Sequence, residues 1–224
     1  MEYLKIKDFN NSKISETAVI KRILLGEKEL YEILLRRNNQ KLFRVIRSYI
    51  KDRAEIEDLM QNTYLKAFEK LYQFKHTSTF ATWLIRIGIN ETLARIKERA
   101  KVYNLNEQSI NFESNTILEM PDNNQLNPEK RIIRQEAKQL LEDTIDSLET
   151  KYRTAYVLRE VEKMSMKEIA SCLDISVANV KVRLHRAKIM LKEKLYQKTI
   201  LNDVFEFGFS RCDKVTEYVM KAIL

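Results

Sequence analysis

The sequence predicts an all-α protein with two helical domains joined by a flexible acidic linker. The 224 residues include only 3 Gly and 2 Pro, and Leu, Ile, Lys, Glu and Arg dominate, a composition typical of helical proteins. The net charge is +8 over residues 21–101, −5 over 102–129 and +6 over 130–199. Two basic blocks on an acidic tether indicate two nucleic-acid-binding domains, although basic helical faces are also often merely solvated.

Several classes of protein are disfavoured by composition. No apolar run approaches the roughly 20 residues that span a bilayer, and the polar N-terminus lacks a signal peptide, so we expect no membrane insertion. Cys172 and Cys212 have no partner spacing, and the chain has only two histidines. We therefore expect a cytoplasmic protein without disulfides, metal or cofactor.

Hydrophobic periodicity predicts four helices in the first domain, residues 1–101. Asp52 followed by Glu55 has the pattern of a capping box, which marks the start of the third of them. The predicted helices are about 16–25, 27–50, 53–72 and 79–101.

The periodic pattern breaks at residues 102–128, which contain no Lys or Arg, both prolines and many Asn and Ser residues. This composition predicts a linker. The pattern resumes in a second domain, residues 129–199, and an extension at 200–224 adds one more predicted helix, 213–223, that either packs on this domain or engages another protein. The second domain's predicted helices are about 129–147, 150–162, 166–172 and 176–195. The first of these should bury Ile132, Ile133, Ala137, Leu140, Leu141 and Ile145.

A helix-turn-helix is predicted between Ser165 and Leu195. Small Ala170 stands where two helices must cross closely, and Asp174 occupies a turn position that needs positive φ. Ser176 caps the second helix. An ordinary amphipathic hairpin would share some of these features, but cap, small residue, turn and basic outer face together favour DNA binding. Val180, Leu184 and Ala187 form the expected inner face of the second helix.

The outer face of that second helix offers side chains for a DNA major groove. Its N-terminal half carries groups for base edges, and Arg183, Arg186 and Lys188 suit phosphates. The candidate DNA-binding residues are Val177, Ala178, Asn179, Lys181, Val182, Arg183, His185, Arg186 and Lys188.

A second candidate DNA surface lies in residues 72–90. Four aromatic residues, Tyr72, Phe74, Phe80 and Trp83, flank a polar loop, 75–79. Aromatic rings beside a basic, hydroxyl-rich loop suit stacking on unpaired bases. The alternative is that the rings are helix-end core residues and the loop is only a turn.

The chain resembles bacterial extracytoplasmic-function (ECF) sigma factors of the sigma-70 family, which are two-domain specificity subunits of RNA polymerase. The resemblance covers about residues 20–197. It rests on the segments DLMQNTYLKAFEKLYQF and FATWLIRIGIN in the first block, and VKVRLHRAKIMLKEKL in the second. It implies a protein that binds core RNA polymerase, directs it to promoters with −10 and −35 elements, and assists promoter melting. An anti-sigma factor is a further partner in many members.

The resemblance also implies roles for particular residues. The helix after Asp52 would dock on polymerase through Glu57, Asp58, Gln61, Asn62 and Leu65, which otherwise read as a solvated face. The helix-turn-helix would read the −35 element, and the linker resembles a segment that threads toward the polymerase active site, or is a plain tether. The −10 element would be read by Phe74, Lys75, His76, Thr77, Ser78, Thr79, Phe80, Trp83, Arg86 and Asn90, with Trp83 shared between core and DNA.

Two other functions compete with this interpretation. A stand-alone helix-turn-helix regulator, with the first block as a dimerisation or sensing domain, would explain the second block. It has no reason to carry the segments DLMQNTYLKAFEKLYQF and FATWLIRIGIN of the first block. An enzyme is disfavoured because the sequence has no Gly-rich phosphate loop and no metal-ligand spacing. Glu57 and Asp58 are adjacent on a helix and therefore point apart, so they do not form a catalytic pair.

Overall fold

The computed structural model of the chain describes residues 14–105 and 128–203, together with Tyr218 and Met220. The predicted all-α class is confirmed, because these residues form helices and no strand. An N-terminal unit contains α1 to α4, and a C-terminal unit contains α5 to α8. The helices are α1 (Glu16–Leu24), α2 (Tyr31–Arg47), α3 (Arg53–Glu69), α4 (Phe80–Leu105), α5 (Pro128–Asp146), α6 (Thr150–Tyr156), α7 (Met166–Leu173) and α8 (Val177–Asp203).

Observed helix boundaries differ from the predicted ones mainly where short irregular turns intervene. The predicted helix 27–50 corresponds to the 3₁₀ turn Lys28–Leu30 followed by α2. The predicted helix 53–72 corresponds to α3 followed by the 3₁₀ turn Leu71–Gln73. The predicted helix 150–162 consists of α6 and a π-helical turn, Val157–Val161. Most of the linker and the predicted helix 213–223 lie outside the described residues.

Side-chain caps define the starts of several helices. The Asp52 carboxylate accepts a hydrogen bond from the Glu55 backbone N–H at 2.8 Å, but the reciprocal half of the predicted capping box is absent. The Glu55 carboxylate instead lies 2.6 Å from the Arg99 guanidinium. A complete capping box occurs at Ser165 and Glu168, which the sequence interpretation missed although the S-x-x-E pattern was present.

The core of the N-terminal unit lies between α2, α3 and α4. Gly88 on α4 permits their close approach, because a Cβ at this position would be 2.7 Å from Leu42 Cδ1 and 3.5 Å from Thr63 Cγ2. Leu42 is itself fully buried, so its side chain has little room to yield. The largest fully buried side chains of this core include Leu34, Leu42, Ile46, Ile56, Leu59, Phe80 and Leu84.

The predicted apolar stripe of α5 is largely wrong. Ile132 and Leu141 are 57% and 42% exposed, Ala137 is exposed, and only Leu140 and Ile145 are half-buried; the Ile133 side chain is outside the described residues. The reason is that most of α5 has no neighbouring element packed against it among the described residues. Only the C-terminal end of α5 contacts the small cluster formed by Leu148, Tyr152, Ala187 and Leu191.

The two units share an apolar core, which we call the junction core. The sequence predicted domains connected only by a linker, whereas the structure packs α7 and the π-helical turn directly on α4 and α2. The N-terminal unit contributes Val45, Ile85 and Ile89 to this core, and the C-terminal unit contributes Ala155, Leu158, Met164, Ile169, Ala170, Cys172, Val180 and Leu184.

Replacing Gly88 by Ala should destabilise the N-terminal unit. Ala gains about 1 kcal/mol of helix propensity over Gly, but overpacking a tight core costs about 1–3 kcal/mol, so we expect a net loss of roughly 1 kcal/mol. Urea unfolding followed by fluorescence of Trp83, the only tryptophan, measures this unit directly.

The matched control is Ala94→Ser at an exposed position of the same helix, where we expect a change within about 0.5 kcal/mol. A Gly88→Ala chain as stable as the native one would contradict the close helix approach described above.

Candidate nucleic-acid interface

The helix-turn-helix has the local geometry that the sequence predicted. Asp174 adopts φ 52° and ψ 50°, the left-handed conformation, and ends α7. The Ser176 hydroxyl accepts a hydrogen bond from the Asn179 backbone N–H at 3.1 Å and so caps α8. Val180, Leu184 and Ala187 are 0%, 4% and 0% exposed. The first half of α8 is therefore held rigidly on α7, with its other face directed outward.

The predicted −35-binding residues lie on that outward face. All are exposed except Arg183, which is half-buried and donates a hydrogen bond from Nε to Asn179 Oδ1 at 3.0 Å. Lys188 pairs with Glu160 at 2.8 Å, and Arg186 donates to the Tyr152 hydroxyl at 3.2 Å. The exposed members are Val177, Ala178, Asn179, Lys181, Val182, His185, Arg186 and Lys188.

These cations also change the ionisation of the groups they contact. The hydrogen bond from Lys188 holds the pKa of Glu160 below its ordinary value. The hydrogen bond from Arg186 lowers the pKa of Tyr152 and raises its own. Arg186 and Lys188 are therefore each held by a partner outside α8, Tyr152 on α6 and Glu160 on the π-helical turn.

The loop 75–79 presents a polar surface over an aromatic base. Lys75, His76, Thr77 and Thr79 are exposed, and Ser78 is half-buried. His76 adopts φ 55°, which turns the chain sharply at this point. The loop is thus open to solvent on one side.

The base of the loop is a cluster of three rings. The Phe74 ring centroid lies 5.4 Å from that of Trp83, 6.0 Å from that of Phe80 and 4.6 Å from that of His76. Trp83 is half-buried and packs on the core of the N-terminal unit, so part of its surface remains accessible.

The structure corrects the expected role of one aromatic residue. Phe80 is 0% exposed and lies beneath Trp83, with a centroid separation of 5.8 Å, so in this conformation it cannot contact a base. Phe74 is 9% exposed and has little accessible surface. Both rings support the loop from below.

Helix α4 begins immediately after the loop and is fixed at its start. The Phe80 backbone N–H donates to the Glu16 carboxylate at 3.2 Å, and the Thr82 N–H donates to Thr79 Oγ1 at 3.2 Å. A carboxylate and a hydroxyl thus occupy the end of the helix where backbone donors are free. Trp83, Arg86 and Asn90 follow at the spacing of one helix face, and Arg86 and Asn90 are exposed.

The adjacent face of α4 contacts the C-terminal unit, which sequence reasoning missed. The Thr82 hydroxyl donates to the Glu168 carboxylate at 2.9 Å, and the Cys172 thiol donates to the Thr82 carbonyl at 3.5 Å. Burial raises the pKa of the Cys172 thiol to about 12. The loop and the helix-turn-helix are therefore neighbours in this structure.

The outer face of α3 is a third accessible surface. The five predicted polymerase-binding residues are all exposed, and Leu65, an apolar residue, is 62% exposed. Arg53 donates to the Glu57 carboxylate at 3.0 Å, so this charge is partly compensated. The five residues are Glu57, Asp58, Gln61, Asn62 and Leu65.

The described residues offer neither a metal site nor a membrane span. Within 14–105 and 128–203 no group of three His, Cys, Asp or Glu side chains is placed to hold a metal ion. In the same part of the chain, no helix has the length and apolar character needed to cross a bilayer.

Two family models match the chain. Residues 34–102 match Sigma-70 region 2, and residues 138–191 match Sigma-70, region 4. Together the two matches cover more than half of the chain and include all three surfaces described above.

Curated relatives extend the similarity over most of the chain. The ECF RNA polymerase sigma-E factor of Haemophilus influenzae is 29% identical over 187 residues, which is 82% of this chain and 96% of the relative. The ECF RNA polymerase sigma factor SigW of Bacillus subtilis is 27% identical over 176 residues, 79% of this chain and 94% of that one.

Solved structures share the fold. The sigma factor RpoE of Bartonella quintana, in complex with the anti-sigma factor NepR, aligns with a TM-score of 0.60 and 21% identity over 74% of this chain and 96% of that chain. CnrH, in complex with the cytosolic domain of CnrY, aligns with a TM-score of 0.53 and 22% identity over 81% of this chain and 97% of that chain. With regions 2 and 4 in order and relatives matched over nearly their full length, the chain belongs to the ECF sigma factors of the sigma-70 family.

Proposed function

We propose that this chain binds core RNA polymerase, directs it to promoters through their −10 and −35 elements, and assists promoter melting. The observation that carries the proposal is the presence of region 2 and region 4 in one chain, each with an accessible surface suited to DNA. A stand-alone helix-turn-helix regulator would not account for the region 2 match. The chain itself performs no catalytic step in this scheme, since it supplies specificity to the polymerase.

The outer face of α3 is the proposed polymerase contact. Its exposed Asp58, Gln61 and Asn62 offer hydrogen-bonding groups, and Leu65 offers an apolar anchor that is 62% exposed. A polar rim around a solvent-facing leucine is a composition that protein interfaces use. The residues beneath, Ile56 and Leu59, are buried and hold the face in place.

The loop 75–79 is the proposed pocket for an unpaired base of the −10 element. Its hydroxyl and basic groups face solvent, and the ring of Trp83 gives it a partly accessible aromatic wall. Stacking contributes about 1–3 kcal/mol per base, and extrusion of a base costs a few kcal/mol. Trp83, Arg86 and Asn90 must therefore act together with the loop to stabilise melted DNA.

The −35 element is the proposed ligand of α8. The exposed residues from Val177 to Val182 are placed to meet base edges, since the N-terminal half of a recognition helix enters the major groove. Arg186 and Lys188, one to two turns later, are placed for the phosphate backbone.

The setting of this activity follows from its partners. RNA polymerase and promoter DNA are cytoplasmic in bacteria, so we propose that the chain acts there. The structurally similar RpoE and CnrH were solved with an anti-sigma factor and with the cytosolic domain of CnrY. We include an anti-sigma factor among this chain's partners.

Replacing Lys188 by Ala should weaken −35 binding by removing a phosphate contact. With core polymerase present, log K should decrease less steeply with log salt, and the negative slope should become shallower by about 0.9 for one lost contact. The measurement is holoenzyme binding to promoter DNA over a range of salt concentrations.

Glu160→Gln is the matched control, because it releases Lys188 from its ion pair and keeps the cation. Its slope should equal that of the native chain. A Lys188→Ala slope that also equals the native one would show that this side chain does not contact phosphate.

Exchanging loop 75–79 for the loop of another ECF sigma factor should change −10 preference and leave −35 preference intact. The loop packs on its own aromatic base and lies on a different unit from α8, so the two specificities should separate. Run-off transcription with core polymerase over a promoter library reads both preferences at once.

Asn179→Ala is the reciprocal variant and should change −35 preference alone. If the loop exchange moved −35 preference instead, the assignment of −10 reading to this loop would be wrong.

A further inference from the structure

Helix α1 contacts the chain on both sides of the loop that is proposed to read the −10 element. Before the loop, α1 packs against the 3₁₀ turn Leu71–Gln73, and its buried Ile20 belongs to the same apolar cluster as Phe74. After the loop, the Glu16 carboxylate accepts a hydrogen bond from the Phe80 backbone N–H at 3.2 Å. Residues far apart in the chain are thus joined where the loop enters and leaves the core.

Glu16 lies where two helices begin. It is the first residue of α1, and its partner Phe80 is the first residue of α4. The N-terminal end of a helix has backbone N–H groups without helical partners and a partial positive charge. A hydrogen bond to a charged acceptor is also stronger than one between neutral groups. Glu16 therefore stabilises the start of the helix into which the loop runs.

The backbone that carries Glu16 is itself anchored. The Ile14 carbonyl accepts a hydrogen bond from Arg37 Nη1 on α2 at 3.1 Å. The Ser15 hydroxyl accepts one from the Ala18 backbone N–H at 3.2 Å and caps α1. The Glu16 carboxylate is therefore presented to α4 from a fixed position on the core of the N-terminal unit.

Hydrogen bonds of the loop's own side chains are local. Ser78 Oγ donates to the Thr79 carbonyl at 3.3 Å, and the Thr79 and Thr82 hydroxyl oxygens lie 2.9 Å apart. These contacts shape the loop and join it to the start of its own helix, but they do not set its orientation relative to the core. That orientation depends on the buried rings of Phe74 and Phe80 and on the bond from Glu16.

We propose that Glu16 is a positioning residue for −10 recognition, which makes α1 part of the −10-reading surface. The match to Sigma-70 region 2 begins at residue 34, so α1 lies outside it. In this scheme Glu16 acts through the loop 75–79 and the start of α4, which it holds in one arrangement. This inference rests on the proposed function. A loop that leaves the competent arrangement for part of the time binds its base more weakly in proportion.

Glu16→Ala should reduce discrimination between −10 sequences without changing discrimination between −35 sequences. Core polymerase and the variant are given two templates in one reaction, a promoter that the native chain transcribes and the same promoter with one −10 base replaced. The ratio of the two run-off transcripts should fall about three- to tenfold, as expected if the competent fraction falls to about a third to a tenth. The corresponding ratio for a replaced −35 base should stay at its native value.

Both ratios are independent of how much of the chain is folded, because the two templates compete for the same holoenzyme. Glu16→Gln keeps an acceptor oxygen, so its −10 ratio should lie within about twofold of the native one. Thr17→Ala, exposed in the same turn of α1, and Glu29→Ala, an exposed glutamate of the same unit, are the matched controls. Both should give native ratios.

Three results would overturn the positioning role. The first is a native −10 ratio in Glu16→Ala, and the second is a Glu16→Gln ratio as low as that of Glu16→Ala. The third is loss of transcript from every template by Glu16→Ala, which would give Glu16 a general role in folding. Absence of transcript with the native chain would instead contradict the proposed function, and this inference with it.

Amide hydrogen exchange tests the bond itself in the free chain. The Phe80 N–H has no partner within α4, so its protection depends on Glu16. It should exchange at least about tenfold faster in Glu16→Ala than in the native chain. Equal exchange rates in the two chains would show that the bond does not hold the start of α4 in solution.

Discussion

Helix α4 is the element on which the rest of the structure depends, because it has to serve three surfaces at once. Phe80 and Leu84 pack into the core of the N-terminal unit, and Ile85 and Ile89 pack into the junction core. The remaining face, with Trp83, Arg86 and Asn90, is the one proposed to contact DNA. A single rigid helix therefore connects the stability of one unit, the docking of the other and the proposed −10 surface.

Polar contacts accompany the apolar junction core. Arg153, Asp146 and Glu168 of the C-terminal unit pair with a backbone carbonyl, an arginine and a threonine hydroxyl of the N-terminal unit. Loss of one partner would leave the other unsatisfied, so these contacts help to fix how the two units pack.

Sequence patterns predicted what depends on neighbours along the chain and missed what depends on neighbours in space. Helical periodicity located the eight helices, and the turn at Asp174 was recognised because positive φ restricts the choice of residue. The positions of Val45, Ile85 and Ile89 in the sequence did not predict the junction core, because periodicity identifies a buried face but not the element that covers it. The predicted burial of Ile132 and Leu141 was wrong for the same reason, since an apolar stripe need not have an element packed against it. Phe80 was expected to contact DNA, and only its complete burial in the structure shows that it supports the loop instead. The spacing of residues in the sequence does not predict that burial.

The central claim is that this one chain directs core RNA polymerase to promoters through region 2 and region 4. Run-off transcription by core polymerase from a promoter containing both elements, with and without the chain, measures it most directly. The account predicts a transcript only when the chain is present. Absence of transcript from every promoter of a genomic library in the presence of the chain would contradict it.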